Sequence, residues 1–114
     1  MSEEIMIDEE FFSKLAAVSK AHAQAEADKC YLMEYRKSLK SMLMVEAESQ
    51  DPKLPVAKQE RYAYGNEQYI ELLEGLKVAV EKAVRYRHQF TVMQMQHEAW
   101  RSRNARNRVE AGLR

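Results

Sequence analysis

The C-terminal segment holds the densest group of side chains that could contact phosphate. Residues 100–114, WRSRNARNRVEAGLR, contain five arginines, one glutamate and the single tryptophan of the chain. Guanidinium groups form forked hydrogen bonds with phosphate or carboxylate oxygens, and an aromatic ring can stack on an unpaired base. Two interpretations stay open: a contact surface for nucleic acid, or a basic surface that neutralises the acidic N-terminus, where Glu3, Glu4, Glu9 and Glu10 lie.

Three further clusters combine basic and aromatic residues, as single-strand binding proteins do. They are YLMEYRKSLK at 31–40, QERYAY at 59–64 and RYRH at 85–88. Taken singly, each is more typical of an ordinary solvated helix surface with interfacial tyrosines. Together with the C-terminal segment they give the candidate nucleic-acid-binding residues Arg36, Lys37, Lys40, Arg61, Tyr64, Arg85, Arg87, Trp100, Arg101, Arg103, Arg106 and Arg108.

Metal binding and catalysis find little support in the sequence. The soft metal ligands His22, Cys30, His88 and His97 share no i, i+3 or i, i+4 spacing, and no CxxC or HExxH motif occurs. The chain also has no GxSxG motif and no glycine-rich phosphate loop. We therefore expect no enzyme, no catalytic residue, no metal, no cofactor and no small-molecule substrate.

Charge is balanced overall but divided unevenly along the chain. The 18 basic and 18 acidic residues give a net charge of zero. Residues 1–57 hold eleven acidic and seven basic residues, whereas 58–114 hold seven acidic and eleven basic residues. Such a division indicates either a basic interaction surface or two antiparallel elements that attract each other. A single cysteine, no apolar leader and no apolar run longer than Met42–Val45 predict an intracellular protein without a membrane span.

Helix-forming residues dominate, and interruptions cluster in the middle of the chain, at Pro52, Pro55 and Gly65. Asp8 can cap a first long helix, Pro55 can open a short one, and Gly65 with positive φ and a capping Asn66 can separate it from the last. We expect an all-α fold: a long antiparallel helical hairpin (about 9–50 and 66–108) with a short connecting helix. It would form one domain, 1–114, with 1–7 and 109–114 frayed.

Two apolar stripes with helical spacing predict how the long helices pack, and the second one includes Tyr69, Phe90, His97 and Trp100. In the simplest coiled-coil-like hairpin, residue i faces roughly residue 116 − i, which sets Glu10 opposite Arg106 and Glu34 opposite Lys82. Several apolar residues stay outside both stripes, namely Tyr31, Tyr35, Met42, Ile70, Val84 and Met95. We expect a second copy to cover them in a homodimeric four-helix bundle. The alternative is a monomer in which the 54–64 helix folds back as a lid.

Four motifs carry a resemblance to a known family: Tyr31–Ser38, Gln59–Tyr64, Tyr69–Leu76 and Trp100–Arg101. Over about residues 30–102 the chain resembles a family of small all-helical proteins of tailed bacteriophages and prophages, often encoded beside recombination or replication genes. The resemblance implies an accessory protein that works near DNA in the cytoplasm of a bacterial host, and it implies no catalytic residues.

The leading functional hypothesis is an accessory protein of DNA recombination or replication that binds single-stranded DNA, or the protein that coats it. The alternative is a non-enzymatic protein-interaction module, such as an inhibitor or adaptor of a host nuclease or polymerase. It would use the acidic first ten residues or the Met- and Tyr-rich helix faces. A structural virion component is a third possibility.

Overall fold

Three helices make up the part of the chain that the computed structural model describes, residues 6–113. They are α1 (Glu9–Gln50), α2 (Val56–Gly65) and α3 (Glu67–Gly112), and these residues include no strand. Helix α1 packs against α3, with the short α2 between them in the chain, so the predicted helical hairpin is confirmed. Helix α3 continues past residue 108 to Gly112. Within residues 6–113, no helix has an apolar stretch long enough to cross a membrane.

Side-chain caps fix where the long helices begin. The Oδ1 atom of Asp8 accepts a hydrogen bond of 3.0 Å from the backbone N–H of Phe11, which satisfies a free donor of the first turn of α1. Two acidic residues in that turn, Glu9 and Glu10, favour the positive end of the helix dipole. The predicted start of the first helix is therefore confirmed together with its physical cause.

The junction between α2 and α3 differs from the prediction in one respect. Gly65 is the last residue of α2, and none of the described glycines has a positive φ, so the predicted left-handed glycine is wrong. The break occurs at Asn66, whose extended backbone (φ −72°, ψ 137°) interrupts the helical hydrogen-bond ladder. The Oδ1 atom of Asn66 accepts a hydrogen bond of 2.9 Å from the N–H of Gln68, which confirms its capping role. One extended residue is sufficient here, so the turn has no need for glycine.

The contacts of the chain divide it into two compact units. The first comprises the residues up to Ala23 and from Val84 onwards, and the second comprises Gln24–Ala83. Both long helices contribute to both units, so the single predicted domain stays a prediction.

Small and aromatic side chains hold the second unit together. Leu39 and Leu43 of α1, Ala63 of α2 and Tyr69 of α3 form its buried cluster, with Met44 and Leu72 against it. Ala63 is fully buried, and its methyl side chain allows α2 to approach α1 closely. All three helices thus meet at one cluster.

Aromatic contacts join the two long helices in the first unit. The ring of Phe12 meets that of His97 edge to face, with centroids 5.5 Å apart, and also contacts the buried Phe11. Farther along, the rings of His22 and Phe90 stack at 6.3 Å. These contacts position the second half of α3 against the first third of α1.

The observed pairing of α1 with α3 is shifted from the predicted register. The simple rule set Phe12 opposite Asn104, whereas its ring contacts His97, about two helical turns earlier. In the second unit, Ala63 of α2 shares the buried cluster of Leu39 and Leu43 with Tyr69 of α3, so α2 and the first turns of α3 pack together against the last part of α1.

The register shift also removes the predicted ion pairs between the long helices. Glu34 pairs with Lys37 of its own helix (3.2 Å) instead of Lys82, and Glu10 pairs with Lys14 (3.2 Å) instead of an arginine of α3. Exposed pairs of this kind contribute about 0.3–0.5 kcal/mol each. The antiparallel arrangement therefore depends on apolar packing more than on charge.

Replacing Leu43 by alanine tests this packing. The change leaves a cavity at the cluster that all three helices share, so we expect the free energy of unfolding to fall by about 2–5 kcal/mol. The control is Val56→Ala on α2, whose side chain is 62% exposed, where a change within about 0.5 kcal/mol is expected. Urea titrations followed by circular dichroism measure both. Equal losses in the two variants would contradict the assignment of the core.

Candidate nucleic-acid interface

The twelve candidate residues fall into two separate sets, one in each unit. The first unit holds Arg85, Arg87, Trp100, Arg101, Arg103, Arg106 and Arg108, and the second holds Arg36, Lys37, Lys40, Arg61 and Tyr64. The name arginine face is used for His97–Arg108 of α3, and the name lysine–tyrosine patch for Arg36, Lys37, Lys40, Tyr64 and Tyr69.

The arginine face contains an aromatic pair beside a groove. The rings of His97 and Trp100, one helical turn apart, stack with centroids 6.1 Å apart and planes inclined by 19°. Trp100 keeps 37% of its surface exposed. A groove of about 600 Å³ adjoins this pair, and α3 alone supplies the residues that line it: His97, Glu98, Trp100, Arg101, Ser102, Asn104, Ala105 and Arg108.

Most of the positive charge on this face is not balanced by carboxylates. Arg101 pairs with Glu98 through Nη1 and Oε1 at 3.1 Å. Arg103, Arg106 and Arg108 are exposed, and no ion pair joins them to any of residues 6–113.

The acidic N-terminus was the alternative partner for these arginines. Within the described part of the chain it does not serve that purpose, because Glu10 pairs with Lys14 and Glu9 has no partner on α3. Glu3 and Glu4 lie outside the described residues.

The structure brings only some of the predicted arginines together. Arg101 and Arg108 line the groove with Asn104, whereas Arg103 and Arg106 do not line it. Arg85 and Arg87 are exposed on an earlier part of α3 and are likewise absent from the groove.

Five groove residues were not among the candidates, and His97 and Asn104 are two of them. His97 had been assigned to the inner apolar stripe. Its spacing of three residues from Trp100 was the signal that could have identified the pair.

The lysine–tyrosine patch is assembled by all three helices. Arg36, Lys37 and Lys40 of α1, Tyr64 of α2 and Tyr69 of α3 line a pocket of about 380 Å³. The rings of Tyr64 and Tyr69 meet edge to face at 5.4 Å. Tyr69 was missed because helical spacing assigned it to the core, where most of its surface indeed lies.

Lys40 is the central charged residue of this patch. Its Nζ atom lies 4.8 Å from the centroid of the Tyr64 ring and 3.7 Å from Oε1 of Glu60. The hydrogen bond with Tyr64 raises the pKa of Lys40, desolvation opposes this, and smaller electrostatic contributions of Tyr64, Glu60 and Tyr69 raise the pKa further. Lys40 therefore carries its full charge at neutral pH.

The patch carries less unbalanced charge than the arginine face. Glu34 pairs with Lys37, and Glu60 lies within ion-pair distance of Lys40, so Arg36 is the cation of the pocket without a carboxylate partner among residues 6–113. Arg61, exposed on α2, does not line the pocket. A phosphate group would therefore compete with more carboxylates for the cations of this patch than for the arginines of the arginine face.

The described residues include no group of three or more His, Cys, Asp or Glu side chains placed to hold a metal ion. Cys30 is exposed and is not part of either patch.

Comparison of the chain with protein-family models, with curated proteins and with solved structures gives no significant match. The resemblance to phage proteins therefore rests on its four motifs.

The contact between Lys40 and Tyr64 predicts a dependence of stability on pH. A pKa raised above its ordinary value of 10.5 means that the folded state favours protonated Lys40. The resulting stabilisation is fully present below that pH and is lost as the pH rises through the raised pKa. We expect the wild type to exceed a Lys40→Met variant in stability by a constant margin near neutrality, and the margin to shrink in strongly alkaline solution. Urea titrations across this pH range measure it.

A Tyr64→Phe variant provides the matched comparison for that series. It removes the hydroxyl that bonds with Lys40 but keeps the ring. In its background, the Lys40→Met change should have a smaller effect with a weaker pH dependence. If the stability difference between the wild type and the Lys40→Met variant stays unchanged at high pH, the stabilisation comes from packing of the aliphatic part of the lysine side chain and not from its charge.

Proposed function

We propose that the protein binds single-stranded nucleic acid through the arginine face, as an accessory protein of phage DNA recombination or replication in the bacterial cytoplasm. The observation that carries the proposal is the exposed, stacked His97–Trp100 pair beside a groove lined by Arg101 and Arg108. Proteins that bind single strands combine aromatic rings, on which bases stack, with cations that follow the sugar–phosphate backbone.

Each part of the face has a physical role in this proposal. Trp100 offers a partly exposed ring to an unpaired base, and His97 holds that ring by stacking from the other side. Arg101 and Arg108 contact phosphates from the groove, and Asn104 between them can both donate and accept hydrogen bonds at a base edge. The preference for single strands follows from stacking, because paired bases do not expose their flat faces.

The unbalanced arginines supply the general attraction to the polyanion. Arg103, Arg106 and Arg108 have no carboxylate partner among residues 6–113, so little competes with phosphate for them. Their guanidinium groups displace condensed counterions from the strand, which makes affinity fall steeply with salt. The lysine–tyrosine patch offers a second, weaker contact through Arg36 and Tyr64.

A second candidate function is a protein-interaction module. It is favoured by apolar side chains that the fold leaves in contact with solvent, such as Met42, which is 53% exposed, and Val45. The arginine face could also bind an acidic protein, including the one that coats single-stranded DNA. Capture of a partner from phage-infected lysate with and without nuclease treatment separates the two functions, because a nucleic-acid link is lost on digestion.

Neutralising the unbalanced arginines gives the main test. We expect an Arg103→Gln, Arg106→Gln, Arg108→Gln variant to bind a short oligothymidylate at least about tenfold more weakly at about 50 mM salt. Each lost phosphate contact reduces the salt slope by about 0.7, so three contacts reduce it by about 2. Trp100 fluorescence follows the titration, at about 50 and about 200 mM salt.

The matched control removes the same charge elsewhere. Lys53, Lys58 and Lys77 are exposed residues of the second unit outside the lysine–tyrosine patch. A variant with all three changed to glutamine should keep nearly all of the affinity. Equal weakening of both variants would indicate unspecific attraction, and no binding by the wild type even at low salt would refute the proposal.

Replacing Trp100 by alanine tests the stacking contribution separately from charge. Loss of one base-stacking ring costs about 1–3 kcal/mol in single-strand complexes, which corresponds to about a 5- to 150-fold weaker Kd. Anisotropy of a labelled oligonucleotide measures it, since the variant has no tryptophan. The affinity for duplex DNA of the same length should fall much less. If the affinities for both forms fell equally, Trp100 would have a structural role in α3 and not a stacking role.

A further inference from the structure

The chain exposes more surface than a folded monomer of its mass normally does. Its accessible area is 9069 Å², whereas a monomer of 13.4 kDa exposes about 6,500 Å². The excess of about 2,600 Å² is roughly three times what each partner contributes to an interface of standard size. No large side chain of the described residues is completely buried. A surface of this extent is what a stable dimer would cover.

An open groove in the second unit is the best-formed part of that uncovered surface. It measures about 360 Å³, lies between α1 and α3, and is lined by Ala25, Asp28, Tyr31, Leu32, Gly75, Val78, Ala79 and Lys82. Tyr31 is 66% exposed and Val78 is 62% exposed, although both are apolar enough for a core. A Cβ atom at Gly75 would meet nothing within 4 Å, so there is room here for a side chain from outside.

The groove continues along α1 as an ordered apolar stripe. Tyr31, Tyr35, Met42 and Val45 are all exposed, and their spacing of four, seven and three residues repeats like the positions of a heptad. The rings of Tyr31 and Tyr35 stack with centroids 6.1 Å apart, so they already present a fixed surface. Helix α1 thus has a second packing face beside the one that contacts α3, as helices in bundles have.

We propose that a second copy of this chain docks on the groove, so that the Tyr31 and Val78 side chains of two protomers cover each other. Two-fold pairing needs a surface that complements itself. The groove meets this need, because it carries one carboxylate, Asp28, and one ammonium, Lys82. Among residues 6–113, Asp28 is bonded only to Gln24 and Lys82 has no ion pair, so both are available to their opposites on a second protomer.

Filling the groove at Gly75 tests the proposal without damaging the fold. A Gly75→Gln change favours the helix and meets open space in the single protomer, but it occupies the place of the partner's side chain. Gly112→Gln is the matched control, since its Cβ atom also meets nothing within 4 Å. Light scattering after gel filtration and sedimentation equilibrium give the mass, and circular dichroism confirms the helix content.

We expect the wild type to have twice the mass of 13.4 kDa at micromolar concentration. The Gly75→Gln change should weaken self-association by at least about tenfold, and the Gly112→Gln change should have no effect. A wild type that stays monomeric up to high micromolar concentration overturns the proposal. A dimer that is equally tight in the Gly75→Gln variant overturns the choice of face.

Charge exchange gives a second test that does not depend on filling the groove. Asp28→Lys leaves only cations on the rim, and Lys82→Asp leaves only carboxylates, so each single change should weaken the dimer. The double variant restores one charge of each sign and should recover the affinity. Unchanged self-association in both single variants, or no recovery in the double variant, would contradict two-fold pairing on this rim.

Discussion

The contact of Ala63 with Leu39 and Leu43 is the interaction on which the rest of the structure depends. Because Ala63 is fully buried in one cluster with Leu39 and Leu43, the short α2 packs against the last part of α1. This position decides where α3 begins beside α1 and brings Tyr69 into the same cluster. It also places Tyr64 within reach of Lys40. The same packing thus forms the pocket of the lysine–tyrosine patch.

Charge has a smaller part in the fold than the division between acidic and basic halves suggested. The pairs Lys14–Glu10, Lys37–Glu34 and Arg101–Glu98 form within single helices, and Lys40–Glu60 joins α1 to α2. Acidic residues pair with basic residues nearby on the same or the adjacent helix, and Arg103, Arg106 and Arg108 of α3 have no carboxylate partner among residues 6–113. An unbalanced basic surface is the result, and a polyanion is its natural complement.

The helix boundaries could be predicted from the sequence because each helix end depends on residues close to it in the chain. Asp8, Pro55 and Asn66 act on their nearest backbone neighbours, so no knowledge of packing was needed to locate these boundaries. The register could not be predicted, because it depends on tertiary contacts between residues far apart in the chain, such as Phe12 with His97. The same distinction applies to the candidate site. The arginines and Trp100 could be identified from residue type alone. His97 and Tyr69 could not, because their helical spacing placed them in the apolar stripe and so predicted a purely structural role.

The two units differ in the distance along the chain between the residues that meet. In the second unit, Leu43 and Ala63 come from neighbouring helices joined by a short connection. In the first unit, Phe12 contacts His97, with most of the chain between them. Loop-closure entropy makes the first kind of contact fast to form and the second slow. During synthesis, the second unit can fold as soon as it leaves the ribosome, whereas the N-terminal third of α1 has to wait for the C-terminal part of α3 to emerge.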